Sequence, residues 1–303
     1  MLSDSAVSTW GRRGTTVESE TIARQFQARA KRFRQRSAEL GLDDVSPYYW
    51  YHTMDLGEGL VTPGMHDYRE TIPAFQFPQD MSGLAALDVG SATGFFAFEL
   101  ERRGAQVVSV ELPSLEQLDR FPGQTTAMLL KKLAQMLEPI AAAQNGSPAV
   151  PQSADQLYFS LLEGPFRFCH RRLHSRVSRC YSTVYDLTQK LAGKTFDWIF
   201  LGDILVHTID PLRALAAVAP LCTGTLVLSQ VIPEEPAAHP AMLYVGGDDP
   251  PADDISWWWP NRLCFEQILK KLGFQTVCEV GRNQGIMYPT GHPFDRPILH
   301  ARK

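Results

Sequence analysis

The stretch AALDVGSATGFFAFELERRGAQVVSVEL, from Ala85 to Leu112, reads as strand, turn, helix and second strand. An apolar run predicts a strand over about 84–89. It breaks at Gly90 and Gly94, which bracket Ser91, Ala92 and Thr93, before a helix over 95–103 and a strand over 106–111. A residue without a Cβ lets the chain turn sharply and lets a ligand touch the main chain. Outward from this unit, strands are expected near 179–185, 196–202, 224–231, 274–280 and 296–302, with helices near 210–219 and 261–272. Such alternation predicts an α/β chain with a mostly parallel, seven-stranded, Rossmann-like sheet whose last strand is antiparallel.

Some 70 residues separate the second and third strands, more than a crossover needs. This insertion, about 112–178, holds the helical pattern TTAMLLKKLAQMLEPIAAA, a Pro/Ser-rich link and a basic segment. Upstream, IARQFQARAKRFRQRSAEL carries Ile22, Phe26, Ala30 and Phe33 on one helical stripe and stops at Gly41. An aromatic, Gly/Pro-punctuated lid segment follows, and residues 1–18 are expected to be disordered. The domain reading is an N-terminal helix and lid, 1–80, before a ligand-binding sheet domain, 81–303.

Composition narrows the class. Apolar residues make up 44% and charged residues 20%, with a formal net charge of −4, which singles out no polyanionic partner. The five cysteines are widely spaced without a CxxC pair, against a disulfide framework or zinc site. The first residues are polar and no run approaches membrane-spanning length, so the chain reads as cytoplasmic.

The glycine turn lies where open α/β sheets bind ligands, at the carboxyl end of a strand and the amino end of a helix. Glu111 ends the next strand, where an acid accepts both hydroxyls of a ribose. A dinucleotide fingerprint would place glycines where Ala92 and Phe95 stand, crowding a pyrophosphate. Asp88 would repel a phosphate and suits an ammonium group. Adenosine at one end and an amino acid at the other describe S-adenosylmethionine.

LDVGSATGFFAFELERRGAQVVSVEL resembles motif I and the following strand of class I S-adenosylmethionine-dependent methyltransferases. STVYDL and FDWIFLGDILVHTIDPLRAL resemble that family's third and fourth strand motifs, and WWWPNRLCFEQILKKLGFQ its late helix and sixth strand. The resemblance covers about 81–303, with Ala92 in place of the usual middle glycine. It implies that Asp88, Gly90, Ser91 and Gly94 line the methionine side and that Glu111 holds the ribose. Asp186 would approach the adenine amino group beside Leu187, with Gly202 and Asp203 near the reacting methyl. The order of LVHTIDPL, TLVLSQV, an acidic loop and WPNRLCFEQILKKLGF is also similar to the wobble-uridine tRNA carboxymethyltransferase family. That family holds a carboxylated cofactor with a lysine ahead of motif I and a tyrosine before the strand-four histidine. Here residues 41–100 contain no lysine and Val206 precedes His207, so ordinary S-adenosylmethionine is expected.

Methyl transfer to a hydroxyl needs alignment, dryness and a base. His207, after the fourth strand, and His52, in the aromatic segment YYWYHTMDLGEGL, are the candidates. Trp50, Tyr51, Trp257 and Trp258 are expected to line the acceptor pocket. In GGDDPPADDISWWWPN the acids Asp248, Asp249, Asp253 and Asp254 lack the Gly and Glu of a calcium loop, so no metal is assigned. Residues 22–36 and 165–181 hold 11 of the 29 basic residues, without an acid. Joined, they would suit a tRNA backbone; paired with acids elsewhere, they are ordinary surface. The negative net charge favours the second reading. The expected activity is methylation of a small organic acceptor, at oxygen. A tRNA-modifying enzyme and an S-adenosylmethionine-binding protein without transferase activity are the alternatives.

Overall fold

The computed structural model describes residues 16–145, 153–248 and 255–303. The Pro/Ser-rich link and the acids Asp249, Asp253 and Asp254 lie outside them, as do residues 1–15.

Five parallel strands are formed by β1 (Ala85–Val89), β2 (Gln106–Glu111), β3 (Ser178–Tyr181), β4 (Phe196–Gly202) and β5 (Cys222–Ser229). A ribbon of β6 (Met242–Tyr244) and β7 (Trp258–Pro260) stands apart, and β8 (Thr276–Met287) and β9 (His292–Arg302) close the chain. The main sheet runs β3-β2-β1-β4-β5-β9-β8, and β9 is antiparallel to both neighbours. The expected mostly parallel sheet with a reversed last strand is therefore formed. Its central strands are buried on both faces, which is why they read as near-continuous apolar runs. Chain order reverses between β1 and β4, and a crevice opens there at the carboxyl tips.

Helix α1 (Thr16–Glu39) begins before the predicted Ile22. It is followed by α2 (Phe95–Arg102), α3 (Thr126–Asn145), α4 (Ala154–Tyr158) and α5 (Gly164–Arg172), with a π turn, Phe159–Glu163, between the last two. The short α6 (Leu187–Lys190), α7 (Pro211–Val218) and α8 (Arg262–Lys271) cover the other face. Asp210 and Asn261 cap α7 and α8 by accepting from the amides of Arg213 and Cys264.

Phe33, Trp50, Tyr68 and Phe75 share one apolar core with Phe96, Phe200 and Val227. Much of the described segment ahead of residue 81 thus packs its buried side chains into the core of the sheet. A second cluster joins Phe26 of α1 to Leu115, Leu129, Leu133 and Leu157 of the insertion. The basic segments are broken up. Arg29 pairs with Asp67, Arg36 with Glu39, Arg167 with Glu163, Arg171 with Asp43 and Arg172 with Glu58. No helix among the described residues is long and apolar enough to cross a membrane.

Candidate active site

A cavity of about 230 Å³ sits over the carboxyl tips of β1 to β5. Of the expected site residues it brings together Tyr51, His52, Asp88, Gly90, Ser91, Glu111, Gly202, Asp203 and His207.

The turn after β1 is shaped by its glycines. Gly90 has φ +71°, and an added Cβ would lie 1.7 Å from the Ile204 side chain; Gly94, at φ +93°, caps α2. Ala92 also lies in the left-handed region, at φ +47°, without a glycine's freedom. Its amide donates to Glu111 Oε2 at 2.8 Å, and its carbonyl accepts from Arg179 Nη2 at 3.1 Å.

Asp88 is 1% exposed and lines the cavity, and its buried Oδ2 has no hydrogen-bond partner. Burial pushes its pKa up to about 7, against the smaller opposing effects of Ser91 and Arg179. In its ionised form such a carboxylate could take an ammonium group. Glu111 accepts from the amides of Ala92 and Leu112, at 2.8 and 2.9 Å, and keeps acceptor capacity toward the cavity. These residues fit a ligand carrying an ammonium and a ribose diol.

Behind them lies a residue that sequence reading misses. Arg179, opposite Ser109 in the β2–β3 register, turns inward with 8% of its side chain exposed. It donates to Ser109 Oγ at 2.9 Å and lies 3.9 Å over the Phe166 ring. Glu111 and Glu163 each stand 4.0 Å from its guanidinium. One cation thus ties the turn, the Glu111 carboxylate and the π turn of the insertion together. The sequence shows Arg179 as one of five arginines in a basic segment, and only the strand pairing distinguishes it.

Asp186 and Leu187, expected beside the adenine, are not among the residues that line the cavity. Strand β3 ends at Tyr181, not 185, so Ser182, Thr183, Val184 and Tyr185 line the cavity. Asp186 instead accepts from Thr183 Oγ1 at 2.6 Å, and Leu187 is fully buried in the core.

His207 lies in a 3-10 turn just past β4. Its Nδ1 is 2.7 Å from the Ile255 carbonyl oxygen. A carbonyl only accepts, so Nδ1 carries the proton, and the neutral tautomer with that bond has its lone pair on Nε2. Asp203, at φ +47°, is gripped by Arg296 Nε at 3.0 and 3.1 Å. His52 shares a 3.0 Å hydrogen bond with Thr93 Oγ1. Burial, aided by His66, lowers its pKa well below the ordinary histidine value, so it stays neutral. Tyr68 and Asn283, the latter on β8, complete this wall.

Three tryptophans expected in the acceptor pocket lie elsewhere. Trp50 packs edge-on against Phe33, Tyr48 and Phe168, a box that α1 and α5 close from distant sequence. Trp257 is 1% exposed against Phe121, and its amide donates to the Val206 carbonyl at 2.7 Å. Trp258 donates its Nε1–H to the Ile209 carbonyl at 2.9 Å. Both tryptophans brace the His207 turn from behind. The apolar wall comes from Leu133, Leu161 and Leu162 of the insertion, with Ile255. Among the described residues no group of three or more His, Cys, Asp or Glu side chains could hold a metal ion.

No family model and no curated protein matches the chain. Solved structures similar to it include magnesium protoporphyrin IX methyltransferase from Synechocystis PCC 6803 with bound SAM, at 12% identity and TM-score 0.46, covering 77% of this chain and 76% of that one. Another is Burkholderia thailandensis 1,6-didemethyltoxoflavin-N1-methyltransferase with bound 1,6-didemethyltoxoflavin and S-adenosylhomocysteine, at 14% identity and TM-score 0.43, covering 78% of each chain. A third is the N-terminal domain of EvdMO1 with SAH bound, at 16% identity and TM-score 0.43, covering 92% of this chain and 96% of that one.

Proposed function

We propose that this chain is an S-adenosylmethionine-dependent methyltransferase acting on a small organic acceptor at oxygen. The observation that carries the reading is the unpartnered, buried Oδ2 of Asp88 sharing one cavity with Glu111 and His207. In this reading Asp88 takes the amino-acid ammonium, the Gly90–Ala92 main chain borders the amino-acid tail, and Glu111 accepts from the ribose hydroxyls. Ser182 to Tyr185 border the adenine, while Gly202 and Asp203 border the sulfonium end. The cofactor supplies a methyl group activated by its sulfonium. With the cofactor bound, His207 Nε2 would take the hydroxyl proton as the acceptor's O–CH3 bond formed and the S–CH3 bond broke, leaving a neutral thioether. The chain's own work is alignment, water exclusion and proton removal. His52, buried and neutral, shapes the wall beside Thr93.

Calorimetric titration with S-adenosylmethionine and with NAD tests the reading: binding of the first alone is expected, and tight NAD binding would end it. Labelled S-adenosylmethionine incubated with the protein and either a metabolite extract or purified tRNA separates the small-acceptor reading from the tRNA alternative. Label in neither leaves the binding protein without transferase activity.

A further inference from the structure

The acceptor half of the cavity has a roof and a charge pattern that together specify what it takes. Leu133 of α3, Leu161 and Leu162 of the π turn, and Ile255 present an apolar surface. His207 meets this roof at the Ile255 carbonyl that holds its ring. Besides Asp88, Glu111 and Asp203, all assigned to the cofactor, the wall carries one more carboxylate, Asp119. Asp119 accepts from the Ile209 amide at 2.7 Å and from the Tyr185 hydroxyl. Asp203 is occupied by Arg296. His52 is held neutral by its burial. Among the described residues, no lysine or arginine lines the cavity. The guanidinium groups of Arg179 and Arg296 are engaged by protein oxygens.

Resting on the methyltransferase reading, we infer that the acceptor is an uncharged, largely apolar hydroxyl compound, and that carboxylate- or phosphate-bearing counterparts are excluded. A carboxylate on the acceptor would lose its water under the leucine roof, and the protein wall offers it no cation short of breaking the Asp203–Arg296 pair; the cofactor's sulfonium is the one other positive charge, and transfer discharges it. A neutral hydroxyl compound buries its apolar surface there and turns one oxygen toward His207 Nε2.

The full-length protein, saturated with S-adenosylhomocysteine, is titrated with 2-naphthol, 2-naphthoate and 2-naphthyl phosphate. The thioether carries no sulfonium charge, so the probes report the wall alone. The neutral naphthol is expected to bind at least tenfold more tightly than either anion. An anion that matches it, or absence of naphthol binding, overturns the inference. Titration of S-adenosylhomocysteine beforehand is a separate measurement: absence of that binding strikes the methyltransferase reading itself. Leu162→Arg, which sets a cation on the roof, is expected to move the naphthol-to-naphthoate ratio at least tenfold toward the anion. An unmoved ratio in the folded variant would also overturn the inference.

Discussion

The two halves of the cavity are built by different rules. The half against β1 to β4 is assembled from strand tips, where the local order of strand, glycine turn, helix and acid places each group within a few residues. The half under the insertion is assembled from α3, the π turn and Ile255, which meet only through packing. The first half carries Asp88, Ser91 and Glu111 among apolar strand tips such as Val89 and Val110, and directional bonds hold it; the second is faced by leucines and held by burial.

The largest expected effect falls where the halves join. Arg179→Met should cost about 3–5 kcal/mol in denaturant unfolding, because it leaves the buried Glu111 carboxylate without its cation and Glu163 with Arg167 alone. Arg179→Lys should recover part of that loss. A loss below ~1 kcal/mol would mean the two halves are held independently.

If His207 is the base, His207→Ala should lower turnover of labelled S-adenosylmethionine by ~10²–10⁴-fold. Intact turnover at every pH would remove that role. Glu111→Ala should weaken S-adenosylmethionine by roughly 1–3 kcal/mol in calorimetry if a buried diol loses its acceptor. The same change should leave the ranking of the naphthyl probes as it was. A reordered ranking would join the two halves into one site.

Asp88 gives the polar half a pH signature. Its folded pKa of about 7 stands above the ordinary 3.8, so the apo protein gains stability from the protonated acid below pH ~4 and loses it as pH rises toward 7. Binding an ammonium needs the carboxylate, so cofactor affinity should fall by about tenfold per pH unit from 7 toward 5. Asp88→Asn should flatten that profile; a flat profile in the parent protein would mean Asp88 does not meet the ammonium.

The smallest effect is a gain. Ala92→Gly should raise stability by up to about 1 kcal/mol, since it relieves a methyl-bearing residue at φ +47° while the unfolded chain gains freedom. Thermal unfolding would read it, and a clear loss would show that the methyl packs usefully.

The same division explains what is legible in the sequence. Asp88, Gly90, Ser91 and Glu111 are readable because strand and turn fix them locally, and the parallel sheet follows from alternating patterns. The expected end of the third strand at 185 misses because β3 ends at Tyr181, a boundary that residue preference does not mark, and Ser182 to Tyr185 line the cavity ahead of Asp186 and Leu187. The tryptophans mislead because an aromatic run looks alike whether it faces a cavity or a box of Phe33 and Phe168. Arg179 is hidden because pattern alone cannot tell an inward arginine from the four others of its segment. The leucine roof belongs to a helix pair whose partner, α1, lies about a hundred residues upstream.

The shared core of Phe33, Trp50 and Tyr68 with Phe96, Phe200 and Val227 has a practical consequence. A chain trimmed to begin at residue 81 would keep every strand yet bare a broad greasy flank, and it should precipitate rather than persist as a minimal catalyst. The leading segment works as a wall of the house, and removing it leaves no smaller house standing.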